Sequence, residues 1–190
     1  MDSSEPQAID LRLSPEAERY LVEVEQRRLA VLSAVSRLPI GVLIWGPAPT
    51  GDSRVAQARR LLRDEMIRRG HLAQFSEDLL LKDSTYSVQL QQLSHVEAAD
   101  IVFSLPDSPG SIAEVHDFAK LPKLSHKIVT FLDRQWNDGY ANRSLIELQS
   151  RVTCAIEPYD AEQLPSCIIS KAAEMVGRLQ ELYWLLGRRL

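Results

Sequence analysis

Apolar residues along this chain fall into short dense runs, separated by longer stretches in which they recur every three or four positions. The runs occupy 40–45, 71–75, 101–105, 127–132 and 151–156, and the first reads Ile-Gly-Val-Leu-Ile-Trp between Pro39 and Gly46-Pro47. Short apolar runs bounded by turn residues predict strands covered on both faces. The stretches between them carry the helical period. Ser14 and Pro15 open the first as N-cap and first helical residue. Ala17, Leu21, Val24, Val31 and Val35 form an incomplete stripe along it, and Pro39 ends it. A second helix is predicted over 53–69, with Val55, Ala58, Leu62, Glu65 and Met66 inward and Gly70 at its stop. Asp83 to Tyr86 lead into a third, through Val96; others are expected over 111–120 and 145–149. The last, over 166–189, carries Ile169, Ala172, Val176, Leu179, Tyr183 and Leu186 at helical spacing.

Strands alternating with helices predict an α/β fold, a three-layer Rossmann- or flavodoxin-like domain with a central parallel sheet of about five strands. Residues 1–13 show no periodicity and are expected to be poorly ordered. The rest, 14–190, reads as one α/β domain: a first helix at 14–38, a sheet core at 40–157 and a closing helix at 166–189.

Composition narrows the function classes. The 190 residues have 45% hydrophobic and 25% charged content, ordinary for a globular protein. A formal net charge of -4 lacks the basic excess that phosphate backbones demand, so nucleic acid is not an expected partner. Two cysteines, Cys154 and Cys167, make no disulfide framework, and Cys154 sits in an apolar run as a buried thiol would. His71, His95, His116 and His126 have no metal-ligand spacing, so neither metal nor cofactor is expected. Residues 1–9 hold no apolar core of a signal peptide, and no stretch reaches membrane-spanning length; a cytoplasmic location is expected.

In an open parallel sheet, ligands lie outside the carboxyl ends of the strands. Two predicted loops at that edge carry unusual chemistry. One follows the first strand and holds Gly46, Pro47, Thr50, Gly51 and, at the next helix, Arg54. The other follows the third strand and runs through Asp107 and Gly110 to Ser111. The glycines admit close backbone approach to a ligand, and Arg54 with the Thr50-Gly51 backbone suits a phosphate. Neither loop matches a P-loop or a dinucleotide fingerprint.

Glu114 has two readings. Ser111-Ile-Ala-Glu114 fits an S-x-x-E capping box, in which the carboxylate reaches back to the helix start. Alternatively the carboxylate faces the crevice, ionised beside a helix N-terminus, as a nucleophile at an anomeric carbon must be. Asp107 then serves as the second acid, acting on the leaving base; its plainer role is that of a turn residue. Asp117, one turn past Glu114, is expected in solvent. Trp136 and Tyr140 can stack on a base or meet a partner subunit.

These residues resemble a known group. Val42-Leu-Ile-Trp-Gly-Pro47 is similar to the first strand and Gly-Pro turn of nucleoside deoxyribosyltransferase-like proteins and their relatives in the nucleotide-sensing SLOG superfamily. Ala99-Asp-Ile-Val102 through Gly110-Ser-Ile-Ala-Glu114 resembles their Ala-Asp strand followed by G-[ST]-x-x-E. The likeness covers roughly 40–132. Trp45 stands where the group has a small residue, and Val115-His116 follow Glu114 where it has a glycine. The resemblance implies cleavage or transfer at the N-glycosidic bond of a nucleoside, nucleotide or NAD-type molecule. It casts Glu114 as nucleophile, Asp107 as the base-contacting acid, and Gly46, Pro47, Gly110 and Ser111 as pocket residues. It equally implies an alternative, a nucleotide-binding sensor or regulatory module without turnover, as in some bacterial antiphage systems. An assembly subunit without ligand binding is a third. Apolar stripes on both terminal helices predict a homo-oligomer or a protein partner.

Overall fold

The computed structural model describes residues 13–136, 143, 147, 149 and 153–189. Tyr140 and residues 145, 146 and 148 of the expected short helix at 145–149 lie outside the described residues, as does the terminal segment 1–12. Contacts divide the chain into two units, Met1–Arg37 and Leu38–Leu190. The first holds one described helix, α1 (Pro15–Ser36), capped by the Ser14 hydroxyl, which accepts from the Ala17 N–H at 3.2 Å.

The second unit is a five-stranded, all-parallel sheet with helices on both faces. Its elements are β1 (Gly41–Trp45), α2 (Arg54–Arg68), β2 (Leu72–Phe75), α3 (Val88–Ala98), β3 (Ile101–Ser104), α4 (Pro109–Ala119), α5 (Pro122–Ser125), β4 (Ile128–Asp133), β5 (Ala155–Tyr159) and α6 (Ser166–Leu186). Strand order is β2-β1-β3-β4-β5, the flavodoxin-like arrangement. Strand alternation sorts the core into two layers. Val42, Ile44, Phe103 and Phe131 pack with Leu62 and Met66 of α2 and Ile168, Ala172 and Val176 of α6. On the other face Leu43, Trp45, Val102 and Leu132 meet Val96 of α3 and Val115 and Phe118 of α4. The inner strands β1, β3 and β4 are therefore buried at successive positions, which is why their runs do not alternate. Strand β2, expected to be covered on both faces, is an edge strand that alternates, with Leu72 and Gln74 exposed and Ala73 and Phe75 buried.

Several elements differ from expectation, among them the unpredicted short helix α5. The fifth strand lies at 155–159, not 151–156, and includes Pro158. A proline reads as a strand breaker, but β5 is a sheet edge, where the missing N–H costs no ladder bond. Helix α4 begins at Pro109 instead of Ser111. The segment after β2 forms an unpredicted 3-10 turn at Ser76–Leu79.

Candidate functional site

The order of strands places β1 beside β3, and the chain leaves β1 toward β2 on one side and leaves β3 toward β4 on the other. That is the topological switch point, where loops part and leave a crevice at the carboxyl edge. Trp45 is in register with Ser104, and the Leu105 N–H donates to the Trp45 carbonyl at 3.1 Å. The loop 46–53 and the turn 105–108 consequently leave the sheet side by side. Both loops expected to carry chemistry flank this point.

Gly46 shows why the junction is tight. Its φ is +149°, and a Cβ there would lie 2.9 Å from the Leu105 carbonyl oxygen. A side chain at this position is excluded both by backbone conformation and by the neighbouring strand end.

The β1–α2 loop is held from beneath by two adjacent arginines of α2. Arg59, with no exposed side-chain surface, donates from one guanidinium nitrogen to the carbonyls of Gly46 (3.2 Å) and Pro47 (2.7 Å), and from the other to Ile44 (2.6 Å). The same two nitrogens grip both oxygens of Glu77, at 2.7 and 2.5 Å. Its guanidinium carbon lies 4.4 Å from the Phe75 ring centroid. Arg60 donates to the carbonyls of Pro49 and Gly51, at 2.5 and 2.8 Å. Because trans peptides point C=O and the following N–H in opposite directions, the N–H groups of Ala48, Thr50 and Asp52 face away from these arginines. Burial pushes the Glu77 carboxyl upward, but the Arg59 bonds outweigh it and hold the group below the usual carboxylate range. Sequence reading missed Arg59, which is one of several arginines on a helix whose others reach water.

At α4 the cap differs from the predicted one. Ser108, not Ser111, is the N-cap: its hydroxyl accepts from the Ser111 N–H at 3.3 Å, and the Ser111 hydroxyl accepts from the Ser108 N–H at 3.1 Å. This reciprocal box is complete between two serines, with Pro109 at the first helical position. Ser111-x-x-Glu114 is therefore not the capping box, and Glu114, the sixth residue of α4, has no part in it. The Glu114 side chain lies outside the described residues, as does that of Trp136.

The other predicted positions are distributed around the same edge. Gly46, Pro47 and Gly51 are half-buried, Thr50 is exposed, and Arg54 is exposed as the first residue of α2. Asp107 is exposed in the turn, Gly110 is the second residue of α4, and Ser111 is half-buried. The structure adds two groups the sequence reading passed over. Asp133 ends β4, is 6% exposed, and accepts from the Gln135 backbone and side-chain amides at 3.0 and 2.8 Å. Tyr159, its register partner at the end of β5, is also buried. Burial, then the charges of Asp133, Cys167 and Asp107, push the Tyr159 phenol well above its ordinary value. The signal available for Asp133 was a lone acid closing the apolar run Ile-Val-Thr-Phe-Leu.

On the α3–α4 face Trp45, Ser104 and Thr130 stand in one row across β1, β3 and β4. The Trp45 indole lies 5.1 Å from the Phe118 ring, and its Nε1, like the Thr130 hydroxyl, is buried with no hydrogen-bond partner among the described residues. Four cavities have described linings. Two, of about 210 and 370 Å³, share Tyr183 near the amino edge of the sheet; another of about 320 Å³ lies between α3 and α5, and one of about 300 Å³ beside β2. None of these four borders the switch point. Among the described residues no group of three or more His, Cys, Asp or Glu is placed to hold a metal ion, and no helix is long and apolar enough to cross a membrane.

Compared with known proteins, the chain matches no family model and no curated sequence.

Proposed function

We propose that this protein cleaves or transfers the N-glycosidic bond of a nucleoside, nucleotide or NAD-type substrate bound at the β1–β3 switch point. Glu114 is the nucleophile at the anomeric carbon, and Asp107 the acid that meets the departing base. The observation that carries the reading is the Ser108–Ser111 box, which satisfies the start of α4 without the glutamate. With the cap supplied by two serines, the start of α4 at the switch point does not call on a glutamate, which supports the catalytic reading over the capping one. The Ala48, Thr50 and Asp52 N–H groups, turned away from Arg59 and Arg60, with Arg54 nearby in sequence, suit an anionic substituent such as a phosphate.

A second reading, nucleotide binding without turnover in a sensor or regulatory module, draws on Asp107. That side chain is exposed, whereas an acid serving a leaving group works best shielded from water. Incubation with a panel of nucleosides, nucleotides and NAD, followed by chromatography for free base, separates the two. Release of base by the wild type and not by Glu114→Gln supports catalysis. A ligand that raises the melting temperature of both proteins while neither releases base supports the sensor. No stabilisation and no product would overturn both.

A further inference from the structure

Helix α1 has 22 residues, and none of them is buried. Helices in proteins draw most of their stability from tertiary packing of an apolar face rather than from propensity. Yet α1 is not polar. Ala17, Leu21, Val24, Arg28, Val31 and Val35 succeed one another at steps of four, three, four, three and four, one seam with the spacing of a coiled coil. Leu21, Val24 and Val31 on it are 51%, 40% and 46% exposed.

The charges on α1 identify what covers the seam. Glu16, Glu18, Glu23 and Glu25 lie in its first half, opposed there by Arg19 alone, whereas Arg27 and Arg28 begin a second half that has no acid. Within the helix Arg28 already holds Glu25 at 2.6 Å, and Arg27 lies 3.7 Å from Glu23. A parallel copy would set Arg28 against Arg28 in the seam, two like charges side by side. An antiparallel copy sets Leu21 against Val31, Ala17 against Val35, and Arg28 against Val24, within reach of the partner copy's Glu25. It also brings the acidic half of each helix against the basic half of the other, and opposes the two macrodipoles.

We infer that α1 is a self-association element: two copies of this chain pair through antiparallel α1 helices along the Ala17–Leu21–Val24–Arg28–Val31–Val35 seam. This goes beyond the proposed activity and does not depend on it.

The full chain tests it by sedimentation at rising concentration. The wild type should form a dimer, and Leu21→Glu with Val31→Glu should weaken it by more than about a hundredfold, because each chain brings two carboxylates into the seam, facing those of the other. At concentrations where both proteins are monomeric, the melting temperature should stay near that of the wild type, since neither residue is buried in the single chain. Orientation is read from disulfides. Ala17 and Val35 are 18 positions apart, about 27 Å along a helix, and a disulfide needs Cα atoms within about 7 Å. Oxidising a mixture of Ala17→Cys and Val35→Cys proteins should give the mixed 17–35 disulfide by peptide mapping. A monomer at every concentration, a dimer indifferent to the glutamates, or 17–17 and 35–35 disulfides in place of the mixed one would each overturn the inference.

Discussion

Replacing Glu77 by Gln keeps the shape of the side chain and removes the counter-ion of Arg59, a cation whose side chain has no exposed surface. Breaking a buried pair from one side costs about 3–5 kcal/mol, because the remaining charge stays desolvated. Two features place this case at the low end. The Glu77 side chain is 42% exposed, so water already screens part of the pair. The carbonyls of Ile44, Gly46 and Pro47 also continue to solvate the guanidinium after the change. The expected loss is about 3 kcal/mol, and in a chain of this size that lowers the melting temperature by about 6–12 °C. Calorimetry at neutral pH measures it. The pH dependence gives a second check. The Glu77 carboxyl is held below its ordinary value, so its contribution is fully present above the unfolded-state value and is lost as pH falls through the folded one. The gap between wild type and Glu77→Gln should therefore close in acid. A melting temperature within about 2 °C of wild type at neutral pH would refute the reasoning, since Arg59 would then tolerate burial without its acid.

Other consequences follow from the same edge of the sheet. Ser108→Ala should cost about 1 kcal/mol in urea unfolding through loss of the α4 cap, whereas Glu114→Gln should stay within about 0.5 kcal/mol of wild type; the reverse order would restore the glutamate to a capping role. Gly46→Ala should destabilise by more than about 2 kcal/mol, because its φ of +149° and the Leu105 carbonyl at 2.9 Å both exclude a side chain; a neutral effect would mean the junction relaxes freely. The Tyr159 phenol is raised by burial first and by neighbouring acids next, so the stability it confers is complete below the unfolded-state value and disappears as pH rises beyond it. Tyr159→Phe should accordingly unfold less readily in alkali than wild type, and equal alkaline profiles would contradict the shift.

Much of the architecture was legible because β1, β3 and β4 are buried on both faces and so are apolar at most positions. Ser14-Pro15 announced α1 correctly, and the same Ser-Pro pair at Ser108-Pro109 starts α4. It was overlooked because Ser111 and Glu114 also fit a capping box, and two overlapping signals can be told apart only by geometry. Pro158 obscured the end of β5, which the apolar run placed at 151–156, since its tolerance depends on the strand being at an edge, a property of sheet order that local pattern does not encode. The candidate site was legible as two loops. Its supports were not: Arg59 looks like any arginine on an exposed helix until three-dimensional packing puts it under the β1 loop, and the Asp133–Tyr159 pair exists only through the register of β4 with β5.

The most direct measurement is a search for sugar bonded to the protein. A nucleoside or nucleotide carrying fluorine at the 2′ carbon slows release of a glycosyl–enzyme intermediate, and intact mass followed by peptide mapping locates any adduct. The account predicts a glycosyl ester on the peptide containing Glu114, absent from Glu114→Gln, with one free base released per adduct formed. Base released from unmodified substrate with the adduct on another residue, or with Glu114→Gln as active as wild type, would contradict it.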